Sequence, residues 1–215
     1  MNRSLTSAMN RSLTSALLAI TLTLGCGGAA LAAPYATLAP IFAADARKDY
    51  ATELKLLRPL VDKGDVDAQF LLALMYSNGT GVPQDYKEAV RLYRLAAAQG
   101  HAMAQSNLAS MYSLGEGVIQ DYKEAVRLYK LSAAQGEDRS KNLLGFSYLL
   151  GEGVAQDYVR AHMWFNLAAS SLSGEDQKNA STQRDNVAAK MTPAQIAEAQ
   201  AMARKCQASN FKQCD

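Results

Sequence analysis

The chain is poor in the residues that build chemical centres. It has three cysteines and two histidines in 215 residues. That stock leaves little for a metal site, which draws heavily on those two residue types. Aromatics make up only 7% of the chain, while alanine is abundant. Helices in such a chain pack through small side chains. Charge of one sign is lacking as well, since 22 Lys and Arg face 20 Asp and Glu. A net charge of +2 is too weak to argue for a nucleic-acid partner, which calls for a clustered basic patch. What remains is a globular balance, 49% hydrophobic and 20% charged, at a length suited to one or two domains.

Residues 1–32 read as an export signal. Arg3 and Arg11 are followed by the uncharged stretch Ser12–Leu24, rich in Leu, Ala and Ile, and then by small residues ending Ala30-Leu31-Ala32. That is the order of a secretory signal peptide, with cleavage expected between Ala32 and Ala33. The alternative is a retained anchor, but the run is shorter than the ~20 residues a membrane-spanning helix needs. The octapeptide Met1–Ala8 recurs as Met9–Ala16, and a start at either methionine leaves a usable signal. Cys26 is a poor match to a lipid-attached cysteine, because Thr23, Leu24 and Gly25 precede it. Cleavage at Ala32 removes it and leaves Cys206 and Cys214. Two cysteines eight apart in an exported protein read as one disulfide, against the alternative of two free thiols. The same cleavage removes two positive charges and no acid, so the slight basicity belongs to the signal. The expected location is periplasmic, or secreted.

The rest of the chain repeats every 36 residues. Gly79, Gly115 and Gly151 are so spaced, as are Gly81, Gly117 and Gly153, and Asp85, Asp121 and Asp157. Gly81–Gly100 and Gly117–Gly136 are identical at seventeen of twenty positions. Asp49-Tyr50 and Gly64 carry the register backwards, as the second half of a degenerate leading unit. Each full unit predicts two antiparallel helices. In the first, helix A spans roughly 68–78 and helix B roughly 86–99. Tyr86, Ala89, Val90, Tyr93, Ala96 and Ala97 fall on one face of a 3.6-residue period, opposite Lys87, Arg91 and Arg94. Gly79 suits the left-handed residue that ends helix A, and Gly81 a second tight bend. Asp85 with Glu88, and Asp121 with Glu124, predict capping boxes on helix B. One pair cannot bury its apolar face alone, so the pairs must stack. The expected fold is all-α, an α-solenoid of stacked antiparallel helix pairs. Residues 175–215 add a helical cap, in which Thr192, Pro193 and Gln195 open its last helix.

The pattern Ala68, Leu72, Tyr76, Gly79, Gly81, Asp85, Ala89, Tyr93, Ala96, Ala97 and Gly100 resembles the Sel1-like repeat, a relative of the tetratricopeptide repeat. The second unit carries it again with Ser132 for one alanine. The third departs at Ser140 and at Ser170-Ser171, where a Gln-Gly ending is expected. The resemblance covers about 49–173. It divides the chain into a leader (33–48), a half repeat (49–66), repeats at 67–102, 103–138 and 139–174, and the cap. It implies a right-handed superhelix and an adaptor that holds a protein or peptide, without a cofactor and without chemistry of its own. It also places helix A on the concave face. The residues there would be Phe70, Leu74, Ser77 and Asn78, then Ser106, Ser110, Ser113 and Leu114, then Asn142, Phe146, Leu149 and Leu150. Two readings of this set stand: a groove for an extended segment, or packing inside a tight, short superhelix. A subgroup of the family described as β-lactamases or penicillin-binding proteins carries a cysteine pair in each repeat, and no repeat here contains one. A cell-wall-directed member remains the alternative function, and a purely structural subunit a third.

Apparent catalytic signals are weak. His101 stands alone in a turn, and His162 occupies the place of Val90 and Val126. The Gly-x-Gly loops lack the strand, helix and lysine of a phosphate site. Glu116 and Glu152 lie 36 apart in surface loops, and acid catalysis needs a pocket to shift a pKa. No catalytic, cofactor-binding or metal-binding residue is assigned.

Overall fold

The computed structural model describes residues 37–212 and residue 214. The segment read as an export signal, its expected cleavage site and Cys26 lie outside the described residues. Within them the chain is helical throughout, in ten helices: α1 Ala39–Ala46, α2 Tyr50–Asp62, α3 Val66–Asn78, α4 Tyr86–Ala98, α5 Ala102–Leu114, α6 Tyr122–Ala133, α7 Asp138–Leu150, α8 Tyr158–Ser171, α9 Gly174–Ala188 and α10 Pro193–Ala208. Each helix packs on the next in sequence as far as α9, and α10 turns back onto α8. The result is an α-solenoid in which α3–α4, α5–α6 and α7–α8 are the three full pairs. Helix α2 spans most of the segment expected as a half repeat. A short helix, α1, packs on it. No helix among the described residues is long and apolar enough to cross a membrane.

The repeated residues earn their places by packing. Ala73, Ala89, Ala96, Ala109, Ala125 and Ala161 are essentially inaccessible, so neighbouring backbones approach closely. Leu92, Tyr93, Leu128, Tyr129, Trp164 and Phe165 fill the wider spaces from the B helices. Ser132, standing for an alanine, donates to the carbonyl of Ala102 at 2.8 Å and so is buried at little cost.

The loop joining helices A and B is tied down by its own hydrogen bonds. Gly79, Gly115 and Gly151 end the A helices in the left-handed conformation. Gln84, Gln120 and Gln156 donate to the exposed carbonyls of Ser77, Ser113 and Leu149 at 2.7–2.8 Å, which satisfies orphan acceptors at the helix ends. Asp85, Asp121 and Asp157 cap the B helices through their side chains. The expected capping boxes at Glu88 and Glu124 are not formed. The amides of Asp85 and Asp121 already donate to the carbonyls of Tyr76 and Tyr112. Each glutamate instead pairs bidentately with Arg91 or Arg127. The capping box at Thr192 and Gln195 is present.

The second glycine of each loop has a role beyond bending the chain. A Cβ on Gly117 would collide with the backbone of Tyr86 at the start of α4, and one on Gly153 with that of Tyr122 at the start of α6. Each loop therefore lies directly on the first turn of the preceding repeat's helix B.

The Gln-Gly ending is explained in the same way. Gln99 Nε2 donates to Gln69 Oε1 at 2.9 Å, and Gln135 Nε2 to Gln105 Oε1 at 2.8 Å, each bond closing one pair on itself. In the third pair these positions are Ser171 and Lys141. Ser171 donates to Asp138 at 2.6 Å, and the buried Lys141 ammonium pairs with the same carboxylate at 2.7 Å. The ring of Phe211 covers the ammonium at 3.9 Å. Cys206 and Cys214 are joined in a disulfide that loops this tail.

One buried charge stands at the N-terminal end. Glu53, at the position of Ala89 in the repeat, is 5% exposed, and its Oε2 has no partner. Burial, aided by nearby Asp45, pushes its carboxyl up from 4.5 to about 7. Below pH 4.5 both folded and unfolded chains hold the proton. As pH rises from 4.5 to about 7 the unfolded chain releases it first, so stability falls across that window and stays lowered above it. Glu53→Gln is expected to match the parent at pH 4 and to exceed it by on the order of 1–3 kcal/mol at pH 8. Urea denaturation at the two pH values measures this, and an equal difference at both would refute it.

Candidate protein-binding face

Helical spacing groups residues of the A helices into rows. On α5 the row is Met103, Asn107, Ser110 and Leu114, and on α7 it is Arg139, Leu143, Phe146 and Leu150. The corresponding α3 row is Asp67, Leu71, Leu74 and Asn78. Met103, Leu114 and Leu150 are large apolar side chains left 43%, 57% and 59% exposed.

The twelve residues expected on this face divide. Asn78, Leu114 and Leu150 are exposed, and Ser77, Ser110, Ser113, Asn142, Phe146 and Leu149 are partly so. Phe70, Leu74 and Ser106 are buried. Phe70 stacks on His101 at 4.4 Å between ring centres and tilts against Tyr93 at 6.1 Å. Ser106 Oγ and Asn142 Oδ1, at the same repeat position as Phe70, are buried without partners.

Polar groups bind the A helices to the B helices. Tyr93 reaches in from α4, and its hydroxyl accepts from Asn107 Nδ2 at 3.2 Å. The Tyr129 and Ser110 hydroxyls share a bond of 3.1 Å. In the third pair both partners change together. Phe165 stands for the tyrosine and Phe146 for the serine, and their rings meet edge-on at 5.0 Å. A hydroxyl pair has been exchanged for an aromatic one. Desolvation pushes the phenols of Tyr93 and Tyr129 upward, so both stay neutral hydrogen-bonding groups.

The residues considered for chemistry have structural surroundings. His101 caps α5, its Nδ1 accepting from the amide of Ala104 at 3.1 Å, and its Nε2 lies 3.4 Å from Asp67. Burial lowers its pKa despite that carboxylate. His162 is buried on α8, and desolvation, assisted by Arg184, lowers its pKa too. Burial raises the carboxyl of Glu116. No group of three or more potential metal ligands is gathered among the described residues.

Sequence reasoning missed a second surface feature, an open groove of about 510 Å³ between α4, α5 and α6. Leu108, Leu128 and Leu131 line it beside Arg94, whose guanidinium donates to the Tyr112 hydroxyl at 2.8 Å. Leu131 lies outside the apolar stripe assigned to helix B, so the periodicity carried no signal for it.

Stacked helix pairs with such a face define a helical-repeat scaffold. The Sel1 repeat model matches residues 66–101, 102–137 and 139–171. Among solved structures, the chain is 40% identical to a protective antigen present in uropathogenic Escherichia coli strains that displays an SLR fold. That match has a TM-score of 0.56 and covers 58% of this chain and 27% of the antigen, so the chain spans only part of that protein's length. It is 37% identical to a Sel1 repeat protein from Oxalobacter formigenes, with a TM-score of 0.53, over 60% of this chain and 98% of that one. No curated protein matches. The chain belongs to the Sel1-repeat family, whose members are in general non-catalytic scaffolds for protein interaction.

Proposed function

We propose that the protein is an exported adaptor of the cell envelope that holds a protein or peptide on its A helices, with no reaction of its own. The observation that carries this reading is that Met103 and Leu114 of α5 and Leu150 of α7 are left exposed on the A helices of successive repeats. Exposed apolar surface rimmed by polar residues is a mark of protein interaction sites. Export rests on the charged start at Arg3 and Arg11, the apolar stretch and the Ala30-Leu31-Ala32 ending. The test is proximity labelling in the native envelope with the full chain, beside a variant carrying Leu114→Asp and Leu150→Asp. A reproducible partner lost in the variant supports the reading. Equal capture by both, or turnover of a chromogenic β-lactam by the pure protein, would sink it.

A further inference from the structure

The groove between α4, α5 and α6 has a counterpart one repeat along, and the chain itself fills that counterpart. Met163, Leu167 and Ser170 form one row on α8. Helix α10 packs on α8, and Gln207 of α10 donates to the Ser170 hydroxyl at 3.5 Å. Beyond α10, the ring of Phe211 lies on Lys141. Met163, Leu167 and Lys141 are accordingly no more than 2% exposed. The buried face of α10 is narrow. It consists of Ala199, Ala203 and Cys206, spaced i, i+4 and i+7. Side chains this small let two helices approach closely.

One repeat earlier, the same row is bare. Its members are Arg127, Leu131 and Ala134, all exposed, with Leu131 at 44%. Arg127 and Leu131 stand on the α6 side of the groove, and Ala97 and Ala98 on the α4 side. Gln105, Leu108 and Tyr112 of α5 line it between them, and Gln105 holds the repeat position of Lys141. Arg127 is held by Glu124, and Arg94 by the Tyr112 hydroxyl. The lining residues of α5 lie on the opposite side of that helix from Met103, Asn107, Ser110 and Leu114. The groove is therefore separate from the A-helix face. Its filled counterpart shows what fits such a surface: a helix that presents a stripe of small side chains.

We propose that the groove between α4, α5 and α6 is a second docking site, for an amphipathic helix of a partner protein whose buried face is a stripe of small residues, seated as α10 is seated on α8. It does not depend on what the A helices bind.

The test uses the full protein and a fluorescent peptide of residues 192–208 carrying Cys206→Ala, which removes thiol exchange. Anisotropy should show saturable binding. The same peptide with Ala199→Glu and Ala203→Glu should bind at least about tenfold more weakly. On the protein, Leu131→Asp and, separately, Ala98→Phe should weaken the parent peptide by a similar factor, while Leu114→Asp leaves it unchanged. Leu131 and Ala98 are both exposed, so thermal melts of these variants should match the parent. Binding that survives both changes is exchange with α10 on α8 and overturns the proposal. Absence of binding at millimolar peptide overturns it too. If sedimentation shows the protein alone to be a dimer that Leu131→Asp dissociates, the occupant is a second copy and the partner helix is refuted. Each of these failures leaves the A-helix face standing, since Leu114→Asp and Leu150→Asp test that face on their own.

Discussion

Replacing Gly117 with alanine is expected to cost roughly 3–5 kcal/mol. Two effects add. The residue sits at φ +70°, where an L side chain is strained, and the new Cβ meets the backbone of Tyr86, which cannot swing aside as a side chain would. Gly100 provides the control. It has φ +90° but open space around its would-be Cβ, so Gly100→Ala should lose only the conformational part, about 1–2 kcal/mol. Urea denaturation of both variants measures the difference. Because Gly117 holds one repeat against the last, its variant should also unfold less cooperatively, as nearest-neighbour coupling carries the stability of a stacked array. Equal costs for the two would show that close approach between repeats does not require the second loop glycine.

Phe165→Ala should be the next largest effect, about 3–5 kcal/mol. Phe165 is fully buried and meets Phe146 edge-on. Gly145 leaves room for its ring, since a Cβ there would stand 2.6 Å from it. Cavity formation is the main cost. A finer test uses the pair exchange seen between repeats. Phe165→Tyr alone brings a hydroxyl against a phenyl ring and should destabilise by about 1–3 kcal/mol. Combined with Phe146→Ser, which recreates the pairing of Tyr129 with Ser110, it should cost less than the sum of the single changes by about 1 kcal/mol or more. Strict additivity in denaturant melts would mean that the two positions do not compensate each other.

The architecture was legible because the pattern is local and repeated. Apolar spacing at 3.6 residues, a left-handed glycine at the end of helix A and an aspartate at the start of helix B each act within one or two turns of the chain. Their recurrence at 36 residues places the same helix pair three times. Even the last helix announced itself, through Thr192, Pro193 and Gln195. The surface of the A helices was partly legible. The family resemblance put Leu114 and Leu150 there, and they are exposed. The groove behind α5 was not legible, because its two sides come from helices a full repeat apart. Likewise, Glu88 matched the spacing of a capping box, but whether its target amide is free depends on the carbonyl of Tyr76, nine residues before that amide across the loop.

The sequence by itself determined that this chain is a short stack of helix pairs with a helical cap, and that its helices pack through alanine. Only the tertiary structure decided why the second loop glycine is needed, what replaces the glutamine bond in the third repeat, and which side chains of the A helices reach the surface. The physical reason is common to all three. They depend on contacts between residues about 30–40 positions apart, and the rotation and spacing between stacked pairs set those distances. Periodicity names the elements that stack, but the angle at which they stack decides which atoms meet.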